Sequence, residues 1–280
     1  MKKNASILVL AMIAAVTSCF AQDGASNIEF VENKGQWDSR VNFRGEMNTG
    51  AFFLQRAGFT VLLNNPDDLA KMTIAHRHPV GPQASPPGNV KAAASVYGRS
   101  KPGDGGGGSS GGGSPSDPDD VLIHSHAYRV TFVGANENVT IIPDKPVPGY
   151  NNYFIGNDPS KWTSHCVAYQ GVTYKDIYPN IDLRYYTNEG QLKYEIIVHP
   201  GGNVNQIAMQ YEGADGLQIR KGQLLVNTSV GQVKELEPST YQSGAKGRAP
   251  VRSKFVIKNG NTVSFKVAAY DEDATLIIDP

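Results

Sequence analysis

Short runs in which apolar and polar residues alternate fill the chain from residue 121 to residue 280. Clear examples are HAYRVTFVG (126–134) and TVSFKV (262–267). Alternation with a period of two is typical of a β-strand that buries one face. An Asn-Gly-Asn sequence at 259–261 separates two such runs and indicates a β-hairpin. The pattern predicts an all-β fold with an antiparallel, β-sandwich-like architecture.

A second group of apolar runs lies between residues 22 and 78. The runs VNFRGE (41–46), AFFLQ (51–55) and FTVLL (59–63) are separated by short turn sequences, which predicts three further strands. We expect this N-terminal β segment (22–78) to complete or flank the main β domain (121–280). Two packed β units are therefore predicted.

One segment is expected to be helical. It begins with the sequence Pro-Asp-Asp at residue 66 and continues as LAKMTIAHRH to residue 78. Leu69 and Met72 give it an irregular apolar face. We expect Asp67 to be the N-cap, because its carboxylate can accept hydrogen bonds from the first free N–H groups of a helix.

Residues 79–120 have a different composition. Gly, Ser and Pro dominate, and apolar residues vanish after Tyr97. Such a segment cannot bury enough apolar surface to offset the entropy of ordering it. We therefore predict a long disordered Gly/Ser/Pro insertion at 79–120, between the two β units.

The first 21 residues have the pattern of a secretory signal peptide. A short basic start is followed by the apolar run ASILVLAMIAAV and by small residues, and cleavage is expected after Ala21. The apolar run is shorter than the roughly 20 residues of a membrane span. Residues 16–19 also resemble a bacterial lipobox, in which Cys19 is lipidated. Both alternatives predict export to the extracellular space or the outer cell surface, with the periplasm left open.

Charge and cysteine content exclude several classes of protein. The chain has 26 basic and 26 acidic side chains, and loss of Lys2 and Lys3 with the signal peptide leaves a net charge of −2. A basic surface for nucleic acid is therefore not expected. Cys166 has no partner once Cys19 is removed, which excludes a disulfide scaffold.

Three aromatic residues in turn-rich surroundings are candidates for a binding surface. Trp37, Tyr153 and Trp162 either anchor loops to the core or form a platform on which sugar rings stack. The first interpretation is the ordinary one for aromatic residues in loops. The second requires exposed and roughly coplanar rings.

Two histidine pairs are candidates for a metal site. His76 and His78, and likewise His124 and His126, share a strand face because they are two residues apart. They flank the predicted insertion, so that all four can converge on zinc or copper if its ends are close. Asn157-Asp158 offers oxygen ligands to calcium without matching a known calcium loop. We expect no cofactor, with calcium and zinc as alternatives.

Five phrases of the sequence are distinctive: FVENKGQWDSRVNFRGE (30–46), PGYNNYFIGNDPSKW (148–162), VTYKDIYPNIDLRYY (172–186), QLKYEIIVHPGGN (191–203) and YDEDATLIIDP (270–280). They resemble the N-terminal domain of secreted bacterial proteins that carry SBBP-type β-propeller repeats. In Bacteroidetes such proteins commonly end in a gliding-motility or type IX secretion sorting domain. The resemblance covers nearly all of the chain after Ala21 except the insertion.

The resemblance implies a non-enzymatic structural or interaction module that precedes repeat or adhesion domains. Its partners would be downstream repeat domains of the same polypeptide, cell-surface components or glycans. Two alternatives remain, a carbohydrate-binding module and an extracellular hydrolase. A hydrolase requires two converging carboxylates or a metal, and no spacing in the sequence identifies such a pair.

Overall fold

The computed structural model describes residues 28–75, 122–188, 190–244 and 247–280. The predicted signal peptide (1–21) and the predicted insertion (79–120) lie outside these residues.

The described part of the chain contains one helix, α1 (Pro66–Ala75), and two short 3₁₀ turns, Pro159–Lys161 and Val204–Gln206. All other regular elements in it are strands. They are β1 (Phe30–Glu32), β2 (Val41–Met47), β3 (Gly50–Gln55), β4 (Gly58–Asn64), β5 (Ser125–Phe132), β6 (Thr140–Pro146), β7 (Asn151–Tyr153), β8 (Thr163–Cys166), β9 (Ala168–Tyr178), β10 (Ile181–Asn188), β11 (Gln191–Val198), β12 (Met209–Glu212), β13 (Gly216–Arg220), β14 (Gln223–Thr228), β15 (Gly231–Glu235), β16 (Ser239–Gly244), β17 (Gly247–Val251), β18 (Ser253–Lys258), β19 (Thr262–Val267) and β20 (Leu276–Asp279).

Most of these strands belong to one continuous 15-stranded sheet. Its hydrogen-bonded order is β17-β16-β20-β11-β10-β9-β1-β2-β3-β4-β5-β12-β19-β18. Strand β6 pairs with β9 on the edge that lies opposite to β10. Val172 of β9 shows this arrangement, because it pairs with Tyr185 of β10 on one side and with Pro143 of β6 on the other. The N-terminal strands β1 to β4 therefore lie between β9 and β5 within the same sheet.

The sheet folds back on itself into two packed layers. The rings of Phe52 on β3 and Phe59 on β4 lie 5.7 and 6.1 Å from the ring of Tyr185 on β10, measured between centroids. Residues so far apart in the strand order meet only if the layers face each other. The first layer contains β6, β9, β10, β11, β20, β16 and β17, and the second contains β1 to β5, β12, β19 and β18.

The observed pairing confirms the predicted all-β, antiparallel fold class. The alternation in TVSFKV becomes β19, which buries Val263 and Phe265 in the common core. The Asn-Gly sequence joins β18 to β19 as predicted, with Lys258 paired to Thr262. Asn259 and Gly260 both have positive φ angles, the conformation that a tight hairpin turn requires.

The helix is present, but the prediction that Asp67 caps it was wrong. The side-chain oxygen of Asn65 accepts hydrogen bonds from the backbone N–H groups of Asp67 and Asp68, at 2.9 and 3.3 Å. Pro66 occupies the first helical position, where a missing N–H costs nothing. The N-cap consequently lies one residue before the proline.

Leu54 on β3 provides a test of the two-layer core, because its side chain is 0% exposed. We expect Leu54→Ala to lower the free energy of unfolding by about 2–5 kcal/mol, the usual cost of a cavity in a packed core. Urea unfolding of residues 22–280 measures this change. Leu236→Ala is the matched control, since Leu236 is 54% exposed, and a change of less than about 0.5 kcal/mol is expected there. Equal losses in the two variants would contradict the assignment of the core.

Candidate functional site

The segment from Tyr150 to Cys166 forms a hairpin outside the main sheet, and we call it the aromatic hairpin. Its strands β7 and β8 pair only with each other in the described structure. A 3₁₀ turn connects them, and the carboxylate of Asp158 caps this turn by accepting hydrogen bonds from the N–H and the hydroxyl of Ser160. The same hydrogen bonds lower the pKa of Asp158. This residue of the proposed calcium pair therefore has a structural role in the turn.

Large apolar side chains on the aromatic hairpin remain in solvent. Tyr150 is 55% exposed, Phe154 65%, Ile155 37% and Trp162 44%. The indole N–H of Trp162 donates a hydrogen bond to the carbonyl of Gly156 at 3.1 Å, and its ring meets that of Phe154 edge to face. The exposed rings are thus held in defined positions.

The predicted aromatic platform is divided between two ring groups. Trp37 and Tyr153 are both half-buried, with ring centroids 5.2 Å apart and an interplanar angle of 69°. The guanidinium group of Arg44 lies 5.4 Å from the centre of the Trp37 ring. Trp162 instead contacts Phe154. Trp37 and Tyr153 therefore form an edge-to-face pair, and a coplanar stack of these two rings is absent.

The two histidines of the predicted metal site that the structure describes are engaged by protein groups. His124 Nδ1 lies 2.7 Å from the carboxylate of Asp68. His126 Nε2 lies 2.7 Å from the carbonyl of Gly213, so it carries the proton, and Nδ1 accepts a hydrogen bond from the N–H of Ser229. This tautomer leaves His126 without a lone pair for a metal. His76 and His78 lie outside the described residues.

Within the described ranges, no group of three or more His, Cys, Asp or Glu residues is arranged to hold a metal ion. The same ranges contain no helix with the length and apolarity needed to cross a membrane.

Cys166 is fully buried, and burial raises the pKa of its thiol. Its neighbour His165 is exposed and has a positive φ angle of 57°, so the pair departs from regular strand geometry.

A cavity of about 780 Å³ lies between the two layers, and we call it the inter-layer cavity. Aromatic rings from both layers form its walls. The three-stranded sheet β13-β14-β15 contributes Val233 and Glu235 at one side, and Tyr153 of the aromatic hairpin lines another part. The wall aromatics are Phe52, Phe59, Tyr128, Tyr185 and Tyr194.

Glu235 places a carboxylate at this cavity. One oxygen accepts a hydrogen bond from the hydroxyl of Tyr194 on the first layer, and the other accepts one from Tyr211 on the second layer, each at 2.8 Å. Burial raises the pKa of Glu235, and the two hydroxyl donors only partly oppose that effect. Glu235 therefore lies beside the aromatic side chains of Tyr194 and Tyr211, and it also lines the cavity.

Tyr185 brings an unpaired hydroxyl to the same region. The residue is 1% exposed and its ring lines the cavity. Its hydroxyl has no hydrogen-bond partner among the described residues. Burial raises the pKa of Tyr185, and the neighbouring Tyr174 and Glu235 raise it further. An unpaired buried hydroxyl is costly and usually has an explanation.

Sequence reasoning did not identify Glu235 or Tyr185. One signal was available: Val233 and Glu235 are two residues apart in a strand and therefore share a face. An acid on the same strand face as a half-buried valine indicates a carboxylate in an unusual environment.

A different carboxylate, that of Asp182, lies at the start of β10 and is almost fully buried, at 2% exposed. It accepts hydrogen bonds from the ammonium group of Lys175, from His199 Nε2 at 2.8 Å and from the N–H of Asp176 at 2.9 Å. Burial by itself raises the pKa of Asp182, but these donors outweigh burial, and the pKa is lowered. The cluster ties β9, β10 and the end of β11 together.

Comparison with protein families identifies the family to which the chain belongs. The family described as "Domain of unknown function (DUF7948)" matches residues 30–280, and the chain belongs to this family. No curated protein and no solved structure matches it. The match includes the aromatic hairpin, the Asp182 cluster and the lining of the inter-layer cavity apart from Ile28 and Glu29.

Asp182→Asn tests the stabilising role of this buried carboxylate. We expect a loss of about 2–3 kcal/mol at pH 7, below the value for wholly buried pairs because Lys175 and His199 are partly in solvent. A carboxyl group with a lowered pKa contributes its stability above the ordinary value of 3.8 and loses it as the pH falls through the folded-state value. The difference between wild type and variant should therefore shrink below about pH 4.

Urea unfolding of both proteins from pH 7 to pH 3 measures this difference. Asp215→Asn replaces an exposed aspartate and should change stability by less than about 0.5 kcal/mol. A loss in Asp182→Asn that stays constant down to pH 3 would contradict the assigned charge interaction.

Proposed function

We propose that this chain is an exported, non-enzymatic interaction module of a bacterial cell-surface or secreted protein. Its docking surface in this proposal is the aromatic hairpin. The supporting observation is the exposure of Tyr150, Phe154, Ile155 and Trp162 on a single hairpin. The two layers bury most other large apolar side chains of the described chain, so this concentration of exposed ones requires a reason.

The chemistry of the hairpin favours a protein partner. Trp and Tyr are enriched among the residues that contribute most to protein–protein affinity. Burying one large apolar side chain contributes roughly 1.5–3 kcal/mol. Ile155 offers no flat face on which a sugar ring stacks, whereas it fills an apolar pocket of a protein well. A projecting hairpin fits a concave apolar surface.

The resemblance to domains that precede SBBP-type repeats supplies the expected partner. We propose repeat or adhesion domains of the same polypeptide, or other surface proteins, as the surfaces to which the hairpin binds. The signal peptide pattern at residues 1–21 supports export, with lipid anchoring through Cys19 as the alternative. The resemblance to type IX secretion-related surface proteins assigns no secretion route to this chain.

One observation favours a carbohydrate as a second candidate ligand. The ring of Tyr150 is 55% exposed and stacks on the imidazole of His165 at 4.2 Å, with an interplanar angle of 25°. A flat, exposed and supported ring is the element that sugar recognition needs. The test below separates this candidate from a protein partner.

A double substitution, Phe154→Ser with Trp162→Ser, tests the docking surface. Labelled residues 22–280 are titrated onto intact cells of the source organism. We expect saturable binding for the wild type and at least tenfold weaker binding for the variant, because two apolar anchors are lost. Thermal unfolding should differ little between the two proteins, since both side chains are exposed and lie on a hairpin outside the main sheet.

Leu236→Ser is the matched control, because it removes an exposed apolar side chain outside the hairpin. It should bind like the wild type. Protease treatment of the cells should abolish binding, while periodate oxidation of surface glycans should leave it intact. Loss after periodate alone would replace the protein partner with a carbohydrate, and equal binding by wild type and double variant would refute the docking surface.

A further inference from the structure

We propose that the inter-layer cavity binds a small organic ammonium ion with an apolar body, its positive charge placed between Glu235 and the surrounding tyrosine rings. This site is separate from the exposed face of the aromatic hairpin. The supporting features are the size of the cavity, the absence of a positively charged partner for Glu235 among the described residues, the surrounding aromatic rings and the charges that line the cavity.

The size and walls of the cavity suit a small molecule. Pockets for small ligands measure about 300–1,000 Å³ and have mostly apolar walls with a few placed polar groups. The inter-layer cavity, at about 780 Å³, has this character, with phenylalanine and tyrosine rings around one carboxylate. Val61, Leu63 and Leu192 supply further apolar wall for the body of a ligand.

Glu235 has no positive partner in the described part of the chain. Its two hydrogen bonds come from the neutral hydroxyls of Tyr194 and Tyr211. A carboxylate taken out of water is costly unless a cation or a full set of donors accompanies it. Each carboxylate oxygen has a second lone pair beyond its tyrosine donor, and an ammonium N–H can occupy that position.

The surrounding rings are suited to the same charge. Tyr128 lies beside Tyr211 with a ring separation of 6.2 Å and an interplanar angle of 19°. Tyr185 and Tyr194 have ring centroids 6.4 Å apart. Aromatic faces attract cations, most strongly where water is excluded.

The charges that line the cavity favour a cation over an anion. Its lining includes the acids Glu29, Glu46 and Glu235 and one base, Lys234. Arg44 forms a salt bridge with Glu46, so that Glu29 and Glu235 against Lys234 leave an excess of one negative charge. A site lined with excess negative charge concentrates positive ligands and repels anions. A fatty acid or another carboxylate ligand would bring a second negative charge next to Glu235.

Three probes of matched size test the charge preference in the wild-type chain. The probes are 2-phenylethylammonium, the neutral 2-phenylethanol and the anion phenylacetate, each titrated calorimetrically into residues 22–280 at pH 7. We expect saturable one-to-one binding of the ammonium ion, and binding of the other two at least tenfold weaker. Equal affinity for the cation and the alcohol would overturn the proposal, as would the absence of saturable cation binding.

Variants then locate the charge. We expect Glu235→Gln to weaken 2-phenylethylammonium binding at least tenfold, while the amide still hydrogen-bonds with both tyrosine hydroxyls. Glu237→Gln removes an exposed acid two residues away that is not part of the cavity lining, and it should bind like the wild type. Undiminished affinity in a folded Glu235→Gln variant would refute the site. If that variant does not fold, the three wild-type titrations decide the question.

Discussion

The two layers are held together by the packing of aromatic rings around Tyr185. This ring contacts Phe52 and Phe59 from the second layer at centroid distances of 5.7 and 6.1 Å. From its own layer it contacts Tyr174 at 5.8 Å and Tyr194 at 6.4 Å. The first three pairs have the edge-to-face geometry that aromatic rings prefer. Rigid rings of this size pack closely at some points and leave space at others. The inter-layer cavity lies next to this cluster, so the contact that joins the layers also provides the walls of the site.

The interior contains two carboxylates whose surroundings have opposite effects. Asp182 accepts hydrogen bonds from an ammonium group, an imidazole and a backbone N–H, and its pKa is lowered. Glu235 accepts hydrogen bonds from two neutral hydroxyls, and its pKa is raised. Asp182 has the hydrogen-bond donors that stabilise an ionised carboxylate inside a protein. Glu235 lacks a counter-charge, which is the physical reason to assign Asp182 to stability and Glu235 to ligand binding.

The aromatic hairpin and the inter-layer cavity are close neighbours in the fold. Asn151 and Tyr153 on β7 line the cavity, while Phe154 and Ile155, which follow directly in the chain, are exposed to solvent. The same short strand therefore belongs to an internal wall and leads into an external surface. Glu32 strengthens this junction, since its carboxylate accepts a hydrogen bond from the N–H of Val167, just after β8.

The sequence by itself determined the class of fold and several local elements. Alternation predicted strands such as β5 and β19, the Asn-Gly sequence predicted the β18–β19 hairpin, and the proline at residue 66 marked the start of α1. These features depend on neighbouring residues, which a sequence displays directly. Even so, the expected cap at Asp67 lies two residues after the true cap, Asn65, because several polar residues there can cap a helix.

Only the tertiary structure decided which strands pair and what surrounds each buried group. Alternation shows that one face of a strand is buried, but it does not identify the partner, and β1 next to β9 joins residues far apart in the chain. The environment of Glu235 consists of Tyr194 and Tyr211, which belong to different layers. Burial among residues distant in the chain raises its pKa, although the two tyrosine donors oppose this effect, and such long-range surroundings leave no local pattern in the sequence.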